Sequence, residues 1–359
     1  MSLGSRKNRV KLVDIAQASG VSLTAVSLAL SDKPGISQET RARVLDIARS
    51  LGYPVKSPTG SNTNKLIKTV GLLVISNGDE EPNPNHFYFY MVAGIDATCR
   101  QMGLNLMFAN LPVDAENCPV EIPALVESGD VDGLIIAGAL IDEKTSRVLD
   151  SHPYPVVLID SYSQTHAYNS VVTDNLQGAY QAIEYLIRKG HTHIGFVGGS
   201  DHAYPSLLER RLGYQKALRE FSAGQPYFAD CGLGRDEVAS AATGLLRDHP
   251  QITAIMGVND ETAISAMNAL TESGISVPQQ VSVIGFDDIY LAESVKPSLT
   301  TMRINKQSMG RLAVQLLVNQ AAQSDAGCVT SIFSPTLVER NSVVQVSPIE
   351  GFKNGKQSR

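Results

Sequence analysis

The stretch Arg9–Lys56, RVKLVDIAQASGVSLTAVSLALSDKPGISQETRARVLDIARSLGYPVK, decides how the rest of the chain is read. Leu12, Ile15 and Ala16 recur at the i, i+3, i+4 spacing of one buried helix face, and Ala16 is small enough for a second helix to cross closely. Gly20 ends that helix, since glycine takes the left-handed conformation that a tight inter-helix turn needs; Val21 fills the corner and Ser22 caps the next helix. In this second helix Val26 and Leu30 lie four apart toward the core. Leu23, Thr24, Ser27 and Leu28 are therefore left on or near the opposite face, within reach of a major groove. Ser37 caps a third helix, Val44, Ile47 and Ala48 pack back, and Gly52 stops it before Tyr53 and Pro54. The pattern predicts a helix-turn-helix. Short amphipathic helices with glycine turns also build plain packing modules, so the rest of the chain has to decide between the two.

Charge decides in favour of nucleic acid. Residues 1–68 carry eleven Lys and Arg against Asp14, Asp32, Glu39 and Asp46, a net +7, which leaves −13 for the remainder of a chain whose total is −6. A basic module on an acidic body concentrates phosphate attraction at one end. Within the module, Leu23, Thr24 and Leu28 are expected to meet base edges, and Ser22, Ser27, Arg41 and Arg43 the phosphate backbone. The four cysteines, Cys99, Cys118, Cys231 and Cys328, are scattered without a paired spacing, so neither a zinc site nor a disulfide framework is expected, and no cofactor motif occurs. Met1 to Gly4 lacks an apolar leader, and no run reaches the roughly eighteen apolar residues of a membrane span. A cytoplasmic, nucleoid-associated bacterial protein is the expectation.

Ser57 to Asn64, SPTGSNTN, has no large apolar residue and reads as a linker. Beyond it, apolar runs such as Val70–Ile75, Gly133–Ala137, Pro155–Ile159, His193–Val197, Ala254–Val258 and Val281–Phe286 alternate with amphipathic helix patterns, as strand-helix-strand units of a parallel sheet do. The expected division is 1–56 helix-turn-helix module, 57–67 linker, 68–345 body and 346–359 disordered tail. Ligands of doubly wound sheets sit beyond the strands' carboxyl ends, which draws attention to Asn259-Asp260, Asp287-Asp288 and Asp174-Asn175.

The residues Asp14-Ile15-Ala16, Gly20-Val21-Ser22, Ala25-Val26-Ser27, Thr40-Arg41 and Leu51-Gly52-Tyr53 resemble the N-terminal module of the lactose-repressor (LacI) family of bacterial regulators. The resemblance runs on through Val131-Asp132-Gly133, Gly190-His191, Glu209-Arg210, Asn259-Asp260, Gly285-Phe286-Asp287-Asp288 and Arg340, to about Ser342. It implies an α-helical helix-turn-helix headpiece followed by a two-lobed α/β domain with parallel sheets, similar to periplasmic binding proteins. One lobe would comprise about Thr69–His166 plus Thr301–Cys328, and the other about Ala167–Thr300 plus the tail. Two departures stand out. Leu28 replaces the arginine with which most members reach a guanine, and Asn62 stands where a minor-groove leucine is usual.

The resemblance also implies a small-molecule effector, a sugar or sugar phosphate. His86, Phe87, Tyr88 and Arg210 sit at matching effector positions, and Asn259 and Asp287 supply a donor and acceptors for ligand hydroxyls. Each has a plainer reading. Arg210 belongs to a solvated run, Asn259 and Asp287 are turn-capping types, and the aromatics pack under a helix. The sequence thus predicts a homodimeric, operator-binding repressor of pseudo-palindromic DNA, since one short recognition helix reads too few base pairs alone. The rival readings are a sugar-processing enzyme with an accessory DNA-binding domain and a transport-type binding protein. No hydrolase, metalloprotease, phosphate-loop or dinucleotide motif supports the first.

Overall fold

The structure, a computed structural model, describes residues 11–30, 35–51, 67–76, 86–322 and 327–346. The linker with Asn62, the stop at Gly52 and the tail beyond Val346 lie outside these. The chain divides into two compact units, Met1–Asn64 and Lys65–Arg359.

The first unit holds α1 (Leu12–Ser19), α2 (Leu23–Leu30) and α3 (Gln38–Ser50) around Ile15, Val26, Ala29, Val44 and Ala48. Leu12 and Ala16 pack at the edge of this core. Asp14 accepts a hydrogen bond from the Lys11 amide at 2.7 Å and so closes the start of α1. Gly20 ends α1 at φ +69°, a conformation that penalises any side chain, and α2 leaves at 106° to α1. Ser22 Oγ accepts from the Ala25 amide and Ser37 Oγ from the Thr40 amide, each at 3.2 Å, satisfying helix-start donors as expected of caps.

The second unit runs β1 (Thr69–Ser76), α4 (His86–Met102), β2 (Asn105–Pro112), α5 (Ala124–Glu127), β3 (Gly133–Ala137), β4 (Leu140–Ile141), α6 (Glu143–Asp150), β5 (Val156–Ile159), β6 (Tyr162–Ser163) and β7 (Asn169–Thr173). It continues through α7 (Asn175–Arg188), β8 (Ile194–Val197), α8 (Pro205–Phe221), β9 (Tyr227–Ala229), α9 (Arg235–Asp248), β10 (Ala254–Gly257), α10 (Asp260–Glu272) and β11 (Ser282–Asp287). Last come α11 (Tyr290–Ser294), β12 (Thr300–Arg303), α12 (Lys306–Ala322), β13 (Thr330–Phe333) and β14 (Thr336–Val338).

Two six-stranded sheets result, ordered β13-β7-β5-β3-β1-β2 and β14-β12-β11-β10-β8-β9, parallel throughout except that β14 runs against β12. Fully buried runs such as Gly133–Ala137, Val156–Ile159 and Ile194–Val197 are what a sheet covered on both faces requires. The chain passes between lobes at Thr173–Asn175, Arg303–Lys306 and Phe333–Thr336. This corrects the lobe limits implied by the resemblance: Asn169–Thr173 is a strand of the first sheet, and Thr300–Arg303 of the second. Short strands beside the crossings carry no apolar pattern of their own, so only pairing reveals their side.

Strand order reverses at β1 in one sheet and at β8 in the other, which opens the switch points whose carboxyl ends receive ligands. α4 and α12 cross closely under the first sheet. A methyl group on Gly94 would meet the Gln307 carbonyl, and one on Gly310 the Met91 carbonyl, so both positions need glycine for space. One buried cluster runs from Val70, Leu72 and Met91 through Ile135 and Val314 to Phe196, Tyr214 and Phe286, joining the two lobes.

Candidate functional site

Two aspartates at strand ends organise the seam between the lobes. Asp160 directly follows β5 at φ +48°, and Asp287 ends β11 at φ +117°. Backbone held in such sparsely populated regions is characteristic of functional positions. Both side chains are buried, each residue being 5% exposed. Asp160 Oδ2 accepts from the Tyr88 hydroxyl at 3.1 Å, and its carbonyl accepts from the Tyr204 hydroxyl at 2.8 Å. Tyr204 also reaches the Ala139 carbonyl, so a residue at the start of α8 in one lobe stitches two loops of the other.

Arg210, 3% exposed in α8, is the cation of the seam. Its Nε donates to Asn175 Oδ1 at 3.0 Å, Nη1 to the Val258 carbonyl at 2.9 Å and Nη2 to Asp287 Oδ1 at 2.9 Å, while its plane lies 4.0 Å from the Phe286 ring centroid. A solvated run is thereby excluded for this residue. Asn175, which opens α7, donates in turn to Glu209 Oε2 at 3.2 Å. Lys306, at the first turn of α12, reaches across the second crossing to the carbonyls of Asp287 and Asp288, and its ammonium lies 5.5 Å from the Phe87 ring.

Burial sets the ionisation. It pushes Asp160 up to about 7, with Arg210 opposing and Asp287 adding to the rise. Burial likewise raises Asp287 against the pull of Arg210 and Lys306, raises Glu209, and lowers Lys306. Tyr88 is driven well above its ordinary value by burial and by Asp160. Asp288 behaves oppositely: although burial works against it, hydrogen bonds from Arg303 and Arg340 hold it below the usual carboxylate range. It fastens the corner between β11 and β12 rather than serving the seam.

Of the residues predicted for an effector, Phe87, Tyr88, Arg210 and Asp287 come together here. Tyr88 is buried within the first turn of α4 rather than beneath a later helix. The side chain of His86 lies outside the described part. Asn259 Oδ1 caps α10 through the Thr262 amide at 2.8 Å, next to the Val258 carbonyl that Arg210 holds. Phe228 packs against Phe196, Tyr214 and the Arg211 guanidinium, while Leu233 is exposed. Sequence reasoning missed Asp160, Tyr204, Glu209 and Lys306 as parts of the site, and singled out Asn175 only by its place after a strand. Asp160 had a signal, because it directly follows the buried run ending at Ile159; Tyr204 and Lys306 had none, since they act across the seam.

In the first unit, Leu23 is 48% exposed and Thr24, Ser27 and Arg43 are exposed, while Leu28 and Arg41 are half-buried. The outer face of α2 thus offers Leu23, Thr24 and Ser27 most fully.

A helix-turn-helix unit in one chain with a two-lobed body, whose polar seam lies at paired switch points, defines a DNA-binding regulator with a ligand-type sensor domain. Comparisons with known proteins agree. Residues 11–54 match the lacI family of bacterial regulatory proteins and residues 183–343 a periplasmic binding protein-like domain. The HTH-type transcriptional regulator GalS of Salmonella typhimurium (strain LT2) is 31% identical over 339 residues, covering 93% of this chain and 96% of its own. The HTH-type transcriptional repressor PurR of Vibrio atlanticus (strain LGP32) is 28% identical, covering 92% and 97%. Among solved structures, the complex of the transcriptional regulator CelR with cellobiose superposes with a TM-score of 0.68 at 26% identity, covering 93% of this chain and all of that one. The chain belongs to the LacI family of bacterial transcriptional regulators. It is a DNA-binding regulator, not an enzyme.

Proposed function

We propose that this protein is a repressor that binds a pseudo-palindromic operator as a homodimer, and that a carbohydrate bound between its lobes changes operator affinity. The observation that carries the effector is the buried ring of Tyr88, Asp160, Tyr204, Arg210, Asp287 and Lys306. It gathers donors and acceptors from both lobes at the carboxyl ends of both sheets. Polar groups converging in this way suit a hydroxyl-rich ligand, and CelR was solved with cellobiose.

Leu23, Thr24 and Leu28 are assigned to the bases, and Ser22, Ser27, Arg41 and Arg43 to phosphates. His86, Phe87, Tyr88, Arg210, Asn259 and Asp287 are assigned to the effector. Dimerisation supplies the second reading helix that a specific operator needs. Among the described residues no single helix is long and apolar enough to cross a membrane. Action on bacterial DNA puts the protein in the cytoplasm, on the nucleoid.

The test is a thermal-shift screen of sugars on the full-length protein, followed by gel shifts with an operator obtained by selection. A sugar that raises the melting temperature by mass action and also changes operator affinity supports the reading. A ligand that raises the melting temperature of an Arg210→Ala variant equally refutes the placement of the site.

A further inference from the structure

We infer that the operator half-site is selected through thymine methyl groups, onto which the outer face of α2 packs its aliphatic side chains, and that paired hydrogen bonds to guanine or adenine play no part. This rests on the reading of α2 as the helix that enters the major groove, and deepens it by naming the base feature that the helix takes.

The first observation is what α2 is made of. Its sequence LTAVSLAL, Leu23–Leu30, holds no Arg, Lys, His, Asn, Gln, Asp or Glu. The second is the direction in which its residues face. Val26 and Ala29 are fully buried, and Leu30 packs against their cluster. At about 100° per residue, Leu23, Ser27, Thr24 and Leu28 follow one another around an arc of about 140° on the opposite side. Leu23, Thr24 and Ser27 are exposed, and Leu28 is half-buried at the far edge of the arc. A methyl group on Gly35 would lie 3.4 Å from Leu28 Cδ1, so the segment before α3 backs that edge.

This face is chemically one-sided. Guanine presents two acceptors, which Arg or Lys reads as a pair, and adenine presents an acceptor and a donor, which Asn or Gln reads. α2 supplies none of these side chains. Among the described side chains of this unit, the cations Lys11, Arg41 and Arg43 lie before α1 and in α3, where they suit phosphates. The hydroxyls of Thr24 and Ser27 can each meet several base edges through one hydrogen bond and so discriminate weakly. What remains is aliphatic: the δ-methyls of Leu23 and Leu28 and the γ-methyl of Thr24. Thymine alone among the four bases carries an apolar group on the major-groove edge, its C5 methyl. Burying one such methyl is worth about a 4-fold change in affinity, and a symmetric pair in the two half-sites about 15-fold.

The experiment selects an operator for the full-length protein from random duplexes, then rebuilds it with modified bases for gel shifts. Deoxyuridine in place of thymidine removes the methyl and keeps the pairing, while 7-deazaguanine in place of guanine removes the N7 acceptor. The expected result is that deoxyuridine at one symmetric pair of half-site positions weakens binding about 15-fold, and that 7-deazaguanine changes affinity by less than about 3-fold. The deoxyuridine loss should shrink below about 3-fold in Leu23→Ala or in Thr24→Ser, which trim exposed methyl groups from the face. A loss of about 10-fold or more on 7-deazaguanine substitution, or a deoxyuridine loss undiminished in both protein variants, overturns the inference. So does an operator in which no deoxyuridine substitution matters. In that case, a changed operator selected by Leu23→Ala would keep α2 as the reading helix, and an unchanged one would remove that assignment too. If no operator is recovered, the repressor reading fails, and this inference with it.

Discussion

Replacing Asp160 by Asn isolates the cost of burying a carboxylate at the seam. The folded chain keeps the Asp160 proton up to about pH 7, whereas the unfolded chain releases it near 3.9. The folded state therefore binds this proton more tightly. The stability attached to Asp160 is intact below about pH 4, drains away as the pH rises toward 7, and stays lost above it. A rise from 3.8 to about 7, at roughly 1.4 kcal/mol per pH unit, gives a total on the order of 4 kcal/mol. Asparagine keeps an oxygen to accept from Tyr88 and has no charge to bury. Asp160→Asn should accordingly be more stable than the parent at high pH, and the difference should grow by roughly 3 kcal/mol between about pH 5 and about pH 8.5. Urea unfolding of both proteins across that range measures it, provided each transition is a single cooperative step. A difference that does not change with pH refutes the reasoning. It would mean that Arg210 fully compensates the burial and that Asp160 is ionised throughout.

Arg210→Ala should abolish the effector response while operator binding persists, at a stability cost of about 3–5 kcal/mol because Asp287 loses its buried partner; unchanged affinity for the eventual effector in calorimetry would move the site elsewhere. Thr24→Ala and Leu28→Arg should each change the operator recovered by selection, whereas removing Arg41 or Arg43 should weaken all sequences alike and lower the salt slope by roughly one. Gly310→Ala should destabilise the body by about 1–3 kcal/mol in denaturant titration, since the added methyl group meets the Met91 carbonyl and Ile95. With Asn62 in place of an apolar wedge, operator bending and dependence on the central base step should be weak; Leu66 is the nearest large apolar residue in the sequence, and a sharp kink in gel-shift bending assays, lost on Leu66→Ala but not on Asn62→Ala, would make it the wedge.

The legible part of this protein was the part written locally. The headpiece could be read from caps, one glycine and the spacing of Ile15, Val26 and Val44, because each of those features acts within a few residues of itself. The long buried strands were visible for the same reason. The short strands β4, β6, β13 and β14 were not, since two to four residues with mixed exposure exist as strands only through their partners. The site divides along the same line. Asp287 stands at a strand end that the alternating pattern exposes, whereas Arg210, inside α8, was legible only through the family resemblance. Tyr204 and Lys306 meet Asp160 and Asp287 only because the chain crosses between lobes, and no spacing in the sequence encodes that meeting.

The order in which the chain is made differs from the order in which its lobes can be completed. The first lobe begins at β1 but lacks α12 and β13 until more than three hundred residues have been synthesised. Met309, Ala313, Val314 and Leu317 of α12 close the apolar face formed by Val70, Leu72, Met91 and Ile95, so that face stays open to solvent on the ribosome. The second lobe, by contrast, has the contiguous strands β8 to β12 before α12 emerges. A nascent chain in this state exposes apolar surface to aggregation and to proteases. A stop codon between β1 and Lys306 therefore leaves a headpiece attached to an unfinished lobe, and such alleles should be recessive through degradation of the body rather than acting as superrepressors.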